Sequence, residues 1–445
     1  MSRSGWAIVG GIVLAAAIGQ CAMNVARAAA DEPPEAPKLS SAADLLDLYG
    51  ADGARRAEFF DGRPVSDAER EPLLRMLNAA RRFTLGDWYR WLEQKLPWSA
   101  WSEKPESVRG QVIQLRGRVR RVTVETPNEE QAERYDLPRY YRCELTLSGD
   151  EQPVVVYALT VPKAWKLDET PDKTLDERSG AKGIFIKLAG AAPEALAPVF
   201  VAARLAWYPD NELGHLGMDV GLFDEVENRT RLQASDSECF FELLAAVGRA
   251  NDRELSQLTR DEKQGEPRYP VEPLFNRPQS CHGELLALSG TARRVVEIRV
   301  ENPDVVRFLG VDHYYEIGLF TVDSQGNPIT FCVRELPAGM PRGENLSEDV
   351  RIPGFFFKVW SYQLPEKDGK AQHQLAPLVV GRALSRLSPM KANTSFSTVV
   401  MIVLVTGMVL LALGLWWLNA SDRAARRKLA QQHESDVRFD HFGKE

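Results

Sequence analysis

Histidine and cysteine are scarce in this chain, six and five among 445 residues, and neither is clustered. No Cys-x-x-Cys pair occurs, which removes the usual spacing of a structural zinc site. His215, His282 and His313 each stand alone. The phosphate-cradling G-x-x-x-x-G-K-[ST], the metalloprotease H-E-x-x-H, the nucleophile elbow G-x-S-x-G and the dinucleotide G-x-G-x-x-G are all missing. Carboxylates are plentiful, but nothing selects two of them as a hydrolytic pair. No catalytic residue, metal ligand or cofactor is therefore assigned. Positive charge is not in excess either. Lys and Arg number 55 against 62 Asp and Glu, a formal net charge of −7. An acidic balance is a poor start for a phosphate backbone and disfavours nucleic acid as a partner.

What the chain does have is a message stated twice. Lys104-Pro105-Glu106-Ser107-Val108-Arg109-Gly110 is answered by Arg277-Pro278-Gln279-Ser280-Cys281-His282-Gly283. Arg120-Arg121-Val122 returns as Arg293-Arg294-Val295, Tyr140-Tyr141 as Tyr314-Tyr315, and Gly183 to Lys187 as Gly354 to Lys358. Such self-similarity fixes architecture before chemistry. It also bears on cysteine. Cys143 aligns with Ile317, Cys281 with Val108 and Cys332 with Tyr157, so these thiols stand where the sister copy keeps apolar or aromatic groups. A Cys239–Cys281 bridge stays open in an oxidising compartment.

Both ends carry membrane signals. Residues 1–28 have a basic start at Arg3, an apolar stretch, and the small-x-small site Ala26-Arg27-Ala28, the layout of a cleaved leader. An uncleaved anchor is the alternative. Val399 to Leu418 is an uncharged apolar run, long enough to span about 30 Å of hydrocarbon. Trp416 and Trp417 mark one interface, and Arg423, Arg426, Arg427 and Lys428 follow, which puts the tail 419–445 in the cytoplasm.

Between the signals, 31–65 reads as an acidic, proline-rich tether with one short helix. Copy one (66–207) and copy two (235–388) open on Ser66-x-x-Glu69 and Ser235-x-x-Glu238, each a capping box before an amphipathic helix. Five strand candidates follow in each: Gln111–Glu125, Arg139–Leu147, Val154–Val161, Gly183–Leu188 and Pro198–Trp207, then Glu284–Val300, Tyr314–Val322, Ile329–Leu336, Phe355–Trp360 and Pro377–Leu384. Gly117 and Gly290 interrupt the long first strands, the mark of a bulge or bend. Residues 208–234 connect the copies as a hinge or a packed loop. The expected fold is mainly β with flanking helices (α+β): two tandem five-stranded OB-like small barrels and one C-terminal transmembrane helix. Lys163 to Lys182, without a convincing helix, leaves a sandwich or SH3-like barrel open.

The polar features shared by both copies are the candidate binding residues. Arg120, Arg121, Arg293 and Arg294 offer rigid forks for an anion or partner, against a structural role in which one of each pair faces water and the other lies along apolar surface or pairs with a carboxylate. Tyr140 and Tyr314 could belong to a stacking platform. Lys187 and Lys358 read as strand-end lysines snorkelling to solvent. Trp88, Trp91, Trp98 and Trp101 read as packing of a helix onto the first barrel. His282 aligns with Arg109 and His313 with Arg139, which suggests exposed positions tolerant of either residue.

The runs Asn327 to Pro341 (NPITFCVRELPAGMP), Pro353 to Trp360 (PGFFFKVW) and Ala376 to Arg382 (APLVVGR) resemble those of uncharacterised membrane-anchored proteins of planctomycete-type bacteria with tandem OB-like domains. The resemblance implies a Gram-negative-like envelope and no known activity. The sequence thus predicts an exported, single-pass binding or scaffold protein, its ectodomain periplasmic or extracellular and its partner an envelope protein or glycan. An envelope enzyme acting on glycan or peptide, and an OB-type binder of nucleic acid or oligosaccharide, are the alternatives.

Overall fold

A computed structural model describes residues 39–93, 101, 103–149, 151–190, 196–258, 270–367, 370–387 and 394–436. The leader, residues 31–38 of the tether, Trp98 and the end of the tail lie outside these residues. In the first half, β1 (Val112–Glu125), β2 (Tyr140–Leu147), β3 (Pro153–Thr160), β4 (Asp172–Ala189) and β5 (Ala197–Arg204) run β1-β2-β3-β5-β4 within a seven-stranded sheet, and β4 pairs back onto β1. The ring is antiparallel except where β3 meets β5. In the second half, β6 (Leu285–Arg299), β7 (His313–Phe320), β8 (Ile329–Val333), β9 (Gly343–Lys367) and β10 (Lys370–Gly381) take the same cyclic order within a six-stranded sheet. There the parallel contact is β8 with β10, and β9 pairs with β10.

β4 begins at Asp172, well before the apolar run at Gly183. Residues Asp172 to Lys182 pair with β1 from Thr123 back to Gln114, so most of the expected loop is strand. Periodicity hides it because one face is in water and its cross-strand pairs are ionic. Arg118 bonds Asp176 at 2.7 Å, Arg120 reaches the same carboxylate, and Arg121 bonds Asp172. β9 is likewise longer than its apolar core, starting at Gly343.

The bulge of the first strand lies three residues beyond the glycine. Register skips between Val119 and Arg121 in β1 and between Ala292 and Arg294 in β6, so the extra residues are Arg120 and Arg293. The bulge explains why Arg120 and Arg121, adjacent in sequence, are both exposed, against the expectation that one of each pair faces water. The glycines meet a different need. A Cβ on Gly117 would stand 2.1 Å from the Thr146 carbonyl oxygen, and one on Gly290 2.3 Å from that of Phe320.

A helix closes the first half over its ring. Helix Arg70–Ala80 buries Leu73, Leu74, Met76 and Leu77 against Val112, Ile184, Ile186, Val199 and Val201 on the outside of β1, β4 and β5. Ile113, Leu115, Val119, Cys143, Val156, Phe185 and Phe200 fill the interior of the ring. In the second half, helix Ser237–Arg249 buries Phe240, Leu243, Leu244 and Val247 against Phe355, Phe357, Leu378 and Val380. The connector is no free hinge. Leu213, Met218, Leu222, Phe223 and Val226 belong to this second core. The described cysteines, Cys143, Cys239, Cys281 and Cys332, are buried and form no disulfide, so Cys239 and Cys281 are not bridged.

The lysines at 187 and 358 overturn the snorkelling expectation. Lys187 and Glu69 are both without exposure and bond at 2.7 Å. Lys358 and Asp236 do the same at 2.8 Å, with exposures of 0% and 2%. Each lysine follows a register irregularity, between Phe185 and Lys187 in β4 and between Phe356 and Lys358 in β9. The bulge turns the lysine toward the helix side, where its charge finds a carboxylate. Glu69 also takes the Phe60 and Ser66 N–H groups at 2.8 Å each. Burial alone would raise the Glu69 carboxyl; the bonds from Lys187, Phe60 and Ser66 outweigh it and hold the group below its ordinary range. Glu69 is the reciprocal partner of Ser66 in the expected capping box. In the second half the box is Gln233 with Asp236, not Ser235 with Glu238, since the carboxylate that closes it must also meet Lys358.

A second compact unit holds Glu348–Val350 and Arg386–Glu445. Helix Thr394–Asp436 contains, within Met401–Lys428, an exposed stretch long and apolar enough to cross a membrane.

Lys187→Met should cost about 3–5 kcal/mol, because it strands the buried Glu69 charge, and Lys187→Met with Glu69→Leu should recover most of it. Urea unfolding of the detergent-solubilised chain measures both; a single variant as stable as the double removes the claim. Gly117→Val and Gly290→Val should each lower stability by at least about 1–3 kcal/mol through collision with the neighbouring strand, and unchanged melting of both variants argues against it.

Candidate functional site

A hollow of about 890 Å³ lies where the two halves meet. Its first wall is carried by the first ring: Gln114 and Arg116 of β1, Ala181 and Lys182 of β4, and Arg204 of β5. Its second wall is helix Ser237–Arg249, with Glu238, Glu242, Ala245 and Arg249, and the helical turn Val305–Leu309, with Phe308. Tyr208, Leu216 and Asp219 of the connector form its floor. A smaller hollow of about 370 Å³ shares Arg81, Leu159, Thr160, Arg204 and Glu225 with it.

The walls are held in register by helix Leu85–Arg90, whose Thr84–Asp87 capping box sets its start. Leu85 packs on the second core. Gly86 lies so close to Asp304 that a Cβ would stand 2.0 Å from its carboxylate oxygen. Tyr89 is gripped on three sides. Its ring stacks on Phe308 at 5.6 Å, the Lys182 ammonium sits 3.9 Å from its centroid, and its hydroxyl donates to Glu242 at 2.7 Å. Burial, then the charge of Glu242, raises the Tyr89 phenol far above its ordinary value, so it stays a donor.

Most charges around the hollow are already engaged. Arg204 pairs with Asp219 at 3.1 Å and approaches Glu225 at 3.7 Å. Asp219 accepts the Trp207 and Gly221 N–H groups at 2.9 and 3.0 Å, and burial still pushes its carboxyl up to about 6. Arg249 donates to the Leu216 carbonyl, and Arg81 to the carbonyls of Tyr135 and Asp136. Arg116, Glu238 and the Tyr208 hydroxyl have no hydrogen-bond or ion-pair partner among the described residues. Among those residues no group of three or more His, Cys, Asp or Glu is placed to hold a metal ion.

None of the candidate binding residues named from sequence lines this hollow, although Trp88 and His215 do. Arg120 and Arg121 are spent on Asp176 and Asp172. Arg294 bonds Glu316, and Arg293 lies over the Phe320 ring at 4.8 Å. Tyr140 is 2% exposed, packed 6.1 Å from Tyr157 under helix Arg70–Ala80, and forms no platform. Tyr314 packs edge-on against Phe240 at 5.5 Å. Of the tryptophans, Trp88 and Trp101 are buried, Trp101 stacking on Phe185 in the ring. His282 is not an exposed residue. Its ring stacks beside Phe223 and Phe356, and its Nε2 takes the Asn228 amide at 2.9 Å.

No family model and no curated protein matches the chain. Solved structures similar to it include the p204 HINb domain, at 8% identity and a TM-score of 0.16, covering 62% of this chain and 98% of that one. The single-stranded DNA binding protein from Thermus aquaticus is similar at 10% identity and a TM-score of 0.17, covering 63% and 96%. The Ifi202 HINa domain in complex with 20bp dsDNA is similar at 6% identity and a TM-score of 0.11, covering 60% and 94%.

Burial, and then the charge of Lys358, lowers His282 from 6.5 to about 4. A depressed histidine adds stability above its unfolded value, lost as pH falls through the folded one. Between pH 6.5 and about 4 the chain should lose on the order of 3 kcal/mol from this group, and His282→Gln should flatten that part of the stability–pH curve. Parallel curves for the two proteins count against it.

Proposed function

We propose that the chain is an exported, membrane-anchored binding protein, its two OB-like barrels arranged as tandem modules that hold a ligand in the cleft between them. The observation that carries this is the cleft itself: about 890 Å³, within the size range of small-ligand sites, with aromatic side chains and a few uncommitted polar groups. It is built from both halves, and a gripped tyrosine fixes their spacing, so a ligand meets a largely preformed site. The helix Thr394–Asp436, apolar over Val399 to Leu418, supplies the anchor. The basic residues after it orient the tail toward the cytoplasm and the cleft toward the outside. The leader-like first residues support the same orientation.

The full-length chain, made in a Gram-negative host with a C-terminal tag, should stay in the membrane after an alkaline wash. Protease added to spheroplasts should remove the barrels and spare the tag. A chain ending at Arg386 should appear in the periplasm as soluble protein. Full-length protein in the cytosol with its leader intact, or a tag cut from outside, would sink the reading.

A further inference from the structure

The cleft has two unpaired charges of opposite sign, on opposite walls. Arg116 projects from β1 on the first wall, beside the unpartnered Tyr208 hydroxyl on which its charge acts. Glu238 stands on the second wall, one turn from Glu242 on helix Ser237–Arg249. The other charged side chains of the lining described above each have a hydrogen-bond, ion-pair or ring partner within the protein, and the second wall also carries the apolar Ala245, Leu309 and Phe308.

Resting on the cleft as the binding site, we infer that its ligand is a zwitterion: a carboxylate for Arg116 and Tyr208 and an ammonium for Glu238, joined by a short middle. A guanidinium fork suits a carboxylate, and a neutral phenol held above its ordinary pKa adds a donor and no opposing charge. Glu238 supplies only acceptors, which suits an ammonium. A ligand bearing one charge alone would leave the other pole unmatched. The volume exceeds what a single amino acid fills and suits a short peptide with free termini.

The test is calorimetric titration of the full chain in detergent with trialanine, N-acetyl-trialanine, trialanine amide and alanine. Trialanine should bind, and each cap should weaken it by about tenfold or more, the worth of one charged hydrogen bond. Alanine should bind more weakly than trialanine; equal affinity assigns the site to free amino acids and leaves the zwitterion standing. Arg116→Gln should abolish discrimination against the amide and keep discrimination against the acetyl cap. Glu238→Gln should do the reverse. Both lie on the surface of the cleft, and unchanged melting verifies their fold. Caps without effect, or no binding of trialanine, overturn the inference. If a neutral probe, tri-N-acetylglucosamine, then binds and Tyr208→Ala weakens it, the cleft stands as a binding site and only the zwitterion falls. If neither probe binds, both readings fall.

Discussion

A buried lysine bonded to the carboxylate that caps a helix holds each half of this chain together. Removing two charges from water costs several kcal/mol apiece, and the attraction between them returns it only in good geometry with the remaining lone pairs filled. Lys187 with Glu69 meets that condition, since the carboxylate also takes two backbone N–H groups. Lys358 with Asp236 meets it through the Thr230 hydroxyl at 2.9 Å and the Gln233 N–H at 2.8 Å. An apolar pair could be as stable. What an apolar pair cannot do is fix direction: the ammonium accepts one carboxylate in one place, so the helix has one register on the sheet.

That register propagates to the cleft. Asp236 begins helix Ser237–Arg249, and the next residues on that helix include Glu238 and Glu242. The position of the second wall follows from the buried pair at its root. On the other side, helix Arg70–Ala80 is fixed by Glu69, and the chain leaving it enters helix Leu85–Arg90, which places Tyr89 between Lys182, Phe308 and Glu242. The bulges at Arg120 and Arg293 serve the same geometry from below. They let a long first strand curve through both edges of its ring while Gly117 and Gly290 admit the neighbouring backbone.

Sequence periodicity made the apolar strands legible, because an alternating face buried in a ring must be written in apolar residues. β1, β2 and β3 lie within one residue of the positions that alternation indicates, and β5 ends three residues earlier than indicated. The polar beginning of β4 was not legible. Its register is carried by Arg–Asp pairs across to β1, and charged residues in alternation look the same in a loop. Helix Glu129–Tyr135 between β1 and β2 escaped for a related reason, since only Tyr135 on it is buried. The lysines misled because a strand-end lysine in water and one turned inward by a bulge have the same sequence. The bulge is visible only in the register.

The candidate site was hidden by the argument that revealed the architecture. Positions repeated in both halves serve what the halves share, which is the ring, the bulge and the helix seat. Arg120, Arg121, Arg293, Arg294, Tyr140 and Tyr314 are repeated, and each is committed to an ion pair, a ring or a core. A site at the junction has different duties on its two sides, so its residues differ between the halves. Arg116 corresponds to Ser289 and Lys182 to Pro353, one position before the paired glycines 117 and 290, and 183 and 354. Unlike walls can stand only where the two halves differ. The charged residues that β1 and β4 carry without a counterpart in β6 and β9 were therefore the signal in the sequence.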